Sequence, residues 1–222
     1  MKSPAWRLLA TPLLAVTSLA GCGGSAQRSS TSVRPITRAE ATTPAEQARA
    51  DSGRMPYVAA DVRFMQGMIH HHAQAVAMAN WAPSHGARES LRLLAGRIDV
   101  AQRDEIAFMQ RWLRERHETV PDIEHAMMGM DMPGMSHEMM PGMLTPDQMK
   151  ELDASRGTEF ERLFLTFMIQ HHQGALTMVD QLFGSTGAGQ ELYVFRFASD
   201  VSADQNTEID RMRLMLNNLP SK

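Results

Sequence analysis

Two stretches of the chain repeat the same combination of imidazole and thioether side chains. Residues 64–79 read FMQGMIHHHAQAVAMA, and residues 164–179 read FLTFMIQHHQGALTMV. Aligned at an offset of one hundred residues, the two stretches share Phe, Met, Ile, His, His, Ala and Met at seven positions. Because imidazole and thioether groups are ligands for soft and borderline transition metals, this repeat predicts metal-binding chemistry.

The shared residues follow the spacing of one helical face. At about 100° per residue, five of them fall within roughly 40° of a single line. His72 lies on the flank of this stripe, whereas His70 is expected on the far side of the helix, where the second copy carries Gln170. In the first copy the stripe consists of Phe64, Met68, His71, Ala75 and Met78.

A purely structural role for the histidines is the alternative. The helix that follows the first copy offers Gln102 and Glu105 as hydrogen-bond partners for a buried imidazole. The same two residues could also orient an imidazole that binds a metal, so they do not discriminate between the two roles. Imidazoles that recur in both copies are costly to bury without a partner, and we favour metal ligands.

A methionine-rich segment lies between the two copies, over residues 118–144. It has no helical period and is interrupted by Gly and Pro, which predicts a loop. A plain linker favours Gly, Ser, Pro and charged residues over oxidisable apolar ones. Closely spaced thioethers with occasional His suit Cu(I) better than zinc. The candidate ligands in this loop are Met127, Met128, Met130, Met132, Met135, His137, Met139, Met140 and Met143.

Helical periodicity predicts five helices and no strand. They cover about residues 57–81, 87–117, 145–155, 158–184 and 190–217. Capping boxes are expected at Thr145 with Gln148 and at Thr158 with Glu161. Residues of the second helix recur in the last one at an offset of 103, so the chain contains two helical hairpins. These predict an all-α domain over residues 56–218, an antiparallel four-helix bundle with a methionine-rich connection.

The first 22 residues read as an export signal. Lys2 and Arg7 precede an apolar run that is too short to span a bilayer, and the segment ends in Leu-Ala-Gly-Cys. This ending resembles the bacterial lipobox, so we expect lipidation at Cys22 and anchoring to a membrane that faces the periplasm or the cell exterior. An ordinary signal peptide or an uncleaved anchor is the alternative. Residues 23–55 are expected to form a flexible linker.

Other classes of function have little support. The formal net charge of −3 gives no electrostatic reason to expect a nucleic-acid partner. The single cysteine excludes an internal disulfide and a CxxC motif. The chain has no Glu-x-x-His for a di-iron centre, and no nucleophile elbow, phosphate loop or dinucleotide motif. We therefore expect a binding protein without an organic cofactor, not an enzyme.

Residues 142–178 resemble the signature of a known family, domain of unknown function 305. The similarity extends over about residues 55–217, and MIHHHAQAVAMA in the first copy fits the same family. The resemblance implies an exported bacterial protein with a ferritin-like four-helix fold. Some members are similar to periplasmic copper-binding proteins linked to copper tolerance, and the family implies no catalytic activity.

These observations predict a copper-binding lipoprotein, with Cu(I) favoured, that buffers or sequesters the metal or transfers it to or from a donor or acceptor protein. The sequence leaves open whether the repeats hold one ion or two, and in which oligomeric state. The competing hypothesis is a metal-free helical bundle that acts as a structural or partner-binding module. The predicted ligands are Met68, His71, His72, Met78 and Met109 in the first hairpin, and Met168, His171, His172, Met178 and Met212 in the second.

Overall fold

The computed structural model describes residues 56–123 and 140–220, which form part of one compact unit. Within these ranges the chain contains five helices and no strand, which confirms the predicted all-α class. None of these five helices combines the length and the apolarity needed to cross a membrane. The helices are α1 (Ala59–Trp81), α2 (Glu89–Glu115), α3 (Pro146–Ala154), α4 (Gly157–Gly184) and α5 (Leu192–Asn217).

Several expectations concern residues outside the described ranges. The signal peptide (1–22), the lipidation site Cys22 and the linker (23–55) belong to this group. So does most of the methionine-rich segment, of which only residues 118–123 and 140–144 are described. The candidate ligands outside the described residues are Met127, Met128, Met130, Met132, Met135, His137 and Met139.

The first predicted capping box is present at the start of α3. The backbone N–H of Gln148 donates to the Thr145 hydroxyl at 3.2 Å, and the N–H of Thr145 donates to the Gln148 side chain at 2.9 Å. Pro146 occupies the first helical position, where its missing N–H costs nothing. This prediction is confirmed, and the hydrogen bonds that begin α3 join residues close together in the sequence.

The second predicted capping box, at Thr158, is wrong. Helix α4 begins one residue earlier, at Gly157, and the side chain of its N-cap residue Arg156 makes no capping hydrogen bond. The carboxylate of Glu161 is instead used by the other hairpin, where it accepts hydrogen bonds from the backbone N–H of Arg88 at 2.5 Å and from its guanidinium Nε at 2.7 Å. A tertiary ion pair has replaced the local cap.

Helix α1 is the most enclosed element of the described chain. It packs against α2, α3 and α4, and α4 in turn packs against α5. Every residue from Met68 to Ala79 is buried, including three histidines and Gln74. A helix that is buried on all sides is normally apolar on all sides. The polar side chains of α1 therefore need partners inside the protein.

Two hydrophobic clusters fill the interior. One contains the later parts of α2 and α4 with the start of α5, and the other contains the earlier parts of α2 and α4 with the end of α5. On these three helices the residues between the clusters include polar ones. The buried polar residues between the two clusters, together with two histidines of α1, form what we call the polar layer. Its members are His71, His72, Gln102, His171, His172 and Gln205.

A short connecting segment before α3, residues 140–144, lies across α1 and α4, and we call it the strap. The Gln74 side chain donates to the Leu144 carbonyl at 3.1 Å and accepts from the Leu144 N–H at 2.8 Å. At Gly174, a Cβ atom would lie 2.0 Å from the carbonyl oxygen of Pro141, so only glycine permits the strap to approach α4 so closely. The strap is thus attached to both helices.

Candidate metal centre

The two copies of the repeat meet through their histidines. The rings of His71 on α1 and His171 on α4 lie with their centroids 3.8 Å apart and their planes inclined by 37°. Their sequence neighbours lie close to them, with centroid distances of 6.3 Å from His71 to His72 and 6.2 Å from His171 to His172. All four side chains are fully buried. The structure therefore brings the four shared histidines together in the polar layer.

Burial keeps the central pair of imidazoles uncharged. The pKa of His71 is lowered to about 3, first by burial and then by the nearby imidazoles of His72 and His172, against an opposing effect of the Pro141 carbonyl. The pKa of His171 is also well below 6.5, first because of burial and then because of His71 and its other imidazole neighbours. A neutral imidazole offers a lone pair, which is the form that binds a metal ion.

The outer two imidazoles are oriented by carboxylates on the partner helices. His72 Nε2 donates to Glu105 on α2 at 2.5 Å, and His172 Nε2 donates to Glu208 on α5 at 2.7 Å. A ring that donates from Nε2 carries its remaining lone pair on Nδ1 when it is neutral. Carboxylates often orient metal-binding imidazoles in this way.

Most ring nitrogens of the polar layer have no hydrogen-bond partner among the described residues. These are Nδ1 of all four histidines and Nε2 of His171. His71 Nε2 contacts the carbonyl oxygen of Pro141 in the strap at 3.1 Å. Each buried polar atom without a partner costs roughly 1–3 kcal/mol, so several in one place indicate that another group contacts them. The donor set fits a metal ion that accepts nitrogen lone pairs.

Six of the predicted methionine ligands flank this layer, and all are buried. They do not group by hairpin. Met178 lies beside Gly67, 3.4 Å from the position of a Cβ there, so a residue after His171 meets one before His71 and the two helices run antiparallel. The hydrophobic cluster on one side contains Met68, Met109 and Met178, and the cluster on the other side contains Met78, Met168 and Met212.

Imidazoles and carboxylates do not complete a site by themselves. Within residues 56–123 and 140–220, no group of three or more His, Cys, Asp or Glu side chains is placed to hold a metal ion.

His70 is a buried residue that the periodicity of α1 did not identify as part of the core. It lies off the apolar stripe and is only 6% exposed, and burial lowers its pKa. Its Nδ1 atom has no hydrogen-bond partner within the described part of the chain. Gln74, one turn further along α1, is hydrogen-bonded to the strap, so the strap lies on the same side of α1 as His70. A contact with a distant segment leaves no periodic signal in the sequence of α1.

Additional carboxylates lie close to the outer histidines. The pKa of Asp204 on α5 is raised, first by partial burial and then by the negative charges of Glu105, Glu208 and Asp200. Glu105 and Glu208 were visible in the sequence because they occupy equivalent positions of the repeat. Asp204 has no such signal, since the equivalent residue of the first hairpin is Ala101. These carboxylates make the outer edge of the polar layer attractive to cations.

The chain belongs to the DUF305 family, a domain of unknown function, whose model matches residues 61–216. The predicted family is thereby confirmed. A comparison with curated proteins finds no match. Among solved structures, a DUF305 fragment from Deinococcus radiodurans is similar with a TM-score of 0.63 and 28% identity, over 74% of this chain and 99% of that one.

Two further family neighbours carry information on location and metal. A DUF305 protein of Streptomyces coelicolor, inferred to be secreted, has a TM-score of 0.60 and 29% identity, over 73% of this chain and 94% of that one. CopM in its Cu(II)-bound form has a TM-score of 0.56 and 28% identity, over 71% of this chain and 96% of that one. CopM in its Cu(I)-bound form has a TM-score of 0.55 and 25% identity, over 72% and 98%.

Proposed function

We propose that this protein binds copper outside the cytoplasm, with Cu(I) as the favoured state, and that it buffers, sequesters or transfers the metal and so contributes to copper homeostasis or tolerance. Its four long helices would form an antiparallel, ferritin-like bundle made of two hairpins. The similarity to CopM in both copper-bound forms supports the choice of metal. Export through an N-terminal signal agrees with the neighbour inferred to be secreted.

One observation carries the proposal. The polar layer places four buried imidazoles at the point where both hairpins meet, and five of their eight ring nitrogens have no hydrogen-bond partner among the described residues. Histidines with a purely structural role would have partners for these nitrogens, as His85 outside the layer has, since its Nδ1 contacts Ser84 and its Nε2 contacts Asp153.

The proposed ligands come from three parts of the molecule. His71 and His171 would hold the ion at the centre, and His72 and His172 would contribute through Nδ1. Thioethers would complete the coordination from either side of the layer, with Met68, Met109 and Met178 on one side and Met78, Met168 and Met212 on the other. The methionine-rich segment would capture or transfer the ion with exchangeable ligands, while a lipid on Cys22 would hold the protein at the membrane.

A binding role fits this environment better than catalysis. The side chains of His71 and His171 are fully buried and have no solvent-accessible surface. A redox or hydrolytic metal site needs an open coordination position that a substrate can reach. A buried ion held by soft ligands is instead protected from solvent, as storage or transfer of copper requires.

A metal-free bundle is the second candidate, and one observation favours it. The hydrogen bonds from His72 to Glu105 and from His172 to Glu208 also make good structural pairs. On this account the histidines specify how the helices pack, and the methionines serve as adaptable core residues. Replacing the histidines would then alter stability without altering copper content.

Anaerobic titration of the full chain with Cu(I), against bicinchoninate as the competing chelator, separates the two candidates. All samples carry C22S, because the one cysteine is itself a strong Cu(I) ligand once deprotonated. We expect tight binding that falls by at least roughly tenfold in the double variant H71Q/H171Q, since loss of even indirect partners of a metal site costs about 10–100-fold.

The matched control is H85Q, which removes a buried histidine that lies outside the polar layer. It should bind copper like the parent chain, and circular dichroism would verify that every variant is folded. Equal affinity in the parent and in H71Q/H171Q would move copper to the methionine-rich segment. No binding in any sample would leave the metal-free bundle as the better account.

A further inference from the structure

His70 is a buried imidazole outside the polar layer, on the side of α1 that the strap approaches. His70 lies one turn before Gln74, which is hydrogen-bonded to the strap, and its Nδ1 atom has no hydrogen-bond partner in the described ranges. Neither the repeat nor the ligand set proposed above uses this residue. A neutral ring with a free lone pair in a buried position needs an explanation of its own.

Met140, the first residue of the strap, supplies a sulfur atom on the same side of α1. A Cβ atom at Gly67 would lie 3.9 Å from Met140 Sδ. Gly67 precedes His70 by three residues, and side chains with this spacing are neighbours on a helix, with Cβ atoms about 5–6 Å apart. The Met140 sulfur therefore lies within about one helical turn of His70.

The strap holds this sulfur in place through contacts on both helices. Leu144 is bonded to Gln74 on α1, and Gly142 packs so closely on α4 that a Cβ there would lie 2.6 Å from the Gln170 carbonyl. The residue after Met140, Pro141, contacts His71 Nε2 directly through its carbonyl oxygen at 3.1 Å. Met140 directly precedes Pro141, and His70 directly precedes His71. An ion bound by Met140 and His70 would thus lie close to the central imidazole pair.

The second copy of the repeat shows that this position does not require a histidine. Gln170 occupies the equivalent place on α4, where it accepts a hydrogen bond from Gln148 at 3.3 Å and donates to the Gly142 carbonyl at 3.4 Å. An amide thus serves the structural role under the strap. The histidine at this position in the first copy has a ring nitrogen without a hydrogen-bond partner. This difference favours His70 as a metal ligand.

We infer that His70 and Met140 form an outer Cu(I) site, at the point where the methionine-rich segment joins the helices, through which the ion passes to the imidazole pair inside. This inference rests on the proposed function. Imidazole nitrogen and thioether sulfur are both suitable for Cu(I), which accepts low coordination numbers. The passage is an exchange of ligands without any change in oxidation state, so it needs no electron donor or acceptor.

Nuclear magnetic resonance during Cu(I) titration tests the outer site directly, because Cu(I) is diamagnetic. The sample is the full chain with C22S, carrying labelled methionine methyl groups and labelled histidine rings. We expect the Met140 methyl and His70 ring nitrogen signals to shift together, over the same added fraction of Cu(I). In H70Q, which gives the first copy the residue of the second, the Met140 shift should be lost, and M140L should abolish the His70 shift.

Chelator competition should show that each variant weakens this site by roughly tenfold or more and leaves the response of His71 and His171 intact. The matched control is M149L in α3, a methionine that packs against the other hydrophobic cluster and should change neither signal. A Met140 shift that persists in H70Q, or a His70 ring that does not respond while His71 and His171 do, would overturn the outer site alone. Absence of any response at all four residues would overturn the proposed function with it.

Discussion

The repeated histidines of the two hairpins have equivalent contacts in the interior, whereas the equivalent positions beside the strap have different contacts. In both, the second histidine of the pair donates to a glutamate on the following helix, His72 to Glu105 and His172 to Glu208. In both, the first histidine faces its counterpart across the interface of α1 and α4. The interior of the molecule has thus kept the symmetry of the sequence repeat.

Under the strap that symmetry is lost at two pairs of equivalent positions. Gln74 forms two hydrogen bonds with Leu144, whereas Gly174 on the other helix makes room for the backbone of Pro141. His70 keeps a nitrogen without a partner in the described chain, whereas Gln170 is hydrogen-bonded. The strap crosses equivalent surfaces of α1 and α4. Because its own residues differ along its length, it contacts different residues on each helix.

The largest expected effect is a loss of stability at low pH, which arises from the symmetric pair His71 and His171. The folded-state pKa of His71 is about 3 and that of His171 is also lowered, against about 6.5 in the unfolded chain. Between these values the unfolded state binds more protons, so stability is fully present above about pH 6.5 and is lost as the pH falls toward 3. The slope is about 1.4 kcal/mol per pH unit for each proton.

Urea unfolding of the metal-free chain at several pH values would measure this loss. The variant H71Q/H171Q should show a much flatter dependence over the same range, because Gln does not titrate. A parent chain whose free energy of unfolding is constant between pH 6.5 and 4 would contradict a buried, neutral pair. H85Q serves as the reference for a histidine outside the polar layer.

Replacing Gly174 by alanine should break the strap contact on α4. The added methyl would meet the carbonyl of Pro141 at 2.0 Å, and overpacking of this kind costs about 1–3 kcal/mol. The control is G96A, at a helical glycine of α2 with nothing within 4 Å of the new Cβ, where alanine should stabilise by up to about 1 kcal/mol. Thermal unfolding of both variants should give shifts of opposite sign.

On α1, the strap is held by hydrogen bonds and not by close packing, so Q74L should have a smaller effect than G174A. The substitution leaves the N–H and carbonyl of the buried Leu144 without their side-chain partner, at a cost of roughly 1–3 kcal/mol that water reaching the strap would reduce. Urea unfolding gives the change in free energy, and hydrogen exchange at the Leu144 amide should become faster. Unchanged protection of that amide would show that the strap does not depend on α1.

The smallest expected effects test whether the interior is truly symmetric. E105Q and E208Q each replace a charged acceptor by a neutral one, and because both carboxylates are partly exposed, each should cost about 1 kcal/mol or less. The two losses of unfolding free energy should agree to within about 0.5 kcal/mol, the usual precision of additive effects. A clearly larger loss in one of them would show that the hairpins are not equivalent.

Much of the fold was readable from local patterns. Apolar periodicity located all five helices, and the Thr145 capping box marked the start of α3, since both depend on residues close together in the chain. The pattern failed where distant residues compete. Glu161 pairs with Arg88 instead of capping α4, and His70 is buried although it lies off the apolar stripe. The copper ligands and the lipid anchor stay predictions for the experiments above.

By itself the sequence determined the all-α class, the family and the residues that both hairpins repeat, because helical spacing and a hundred-residue offset are properties of the chain alone. Only the tertiary structure decided how those residues combine. Antiparallel packing of α1 on α4 pairs His71 with His171 and places Met178 beside Gly67 of the first hairpin, and the strap is attached to both helices. These arrangements depend on which surfaces meet in space, and spacing along a helix does not encode that.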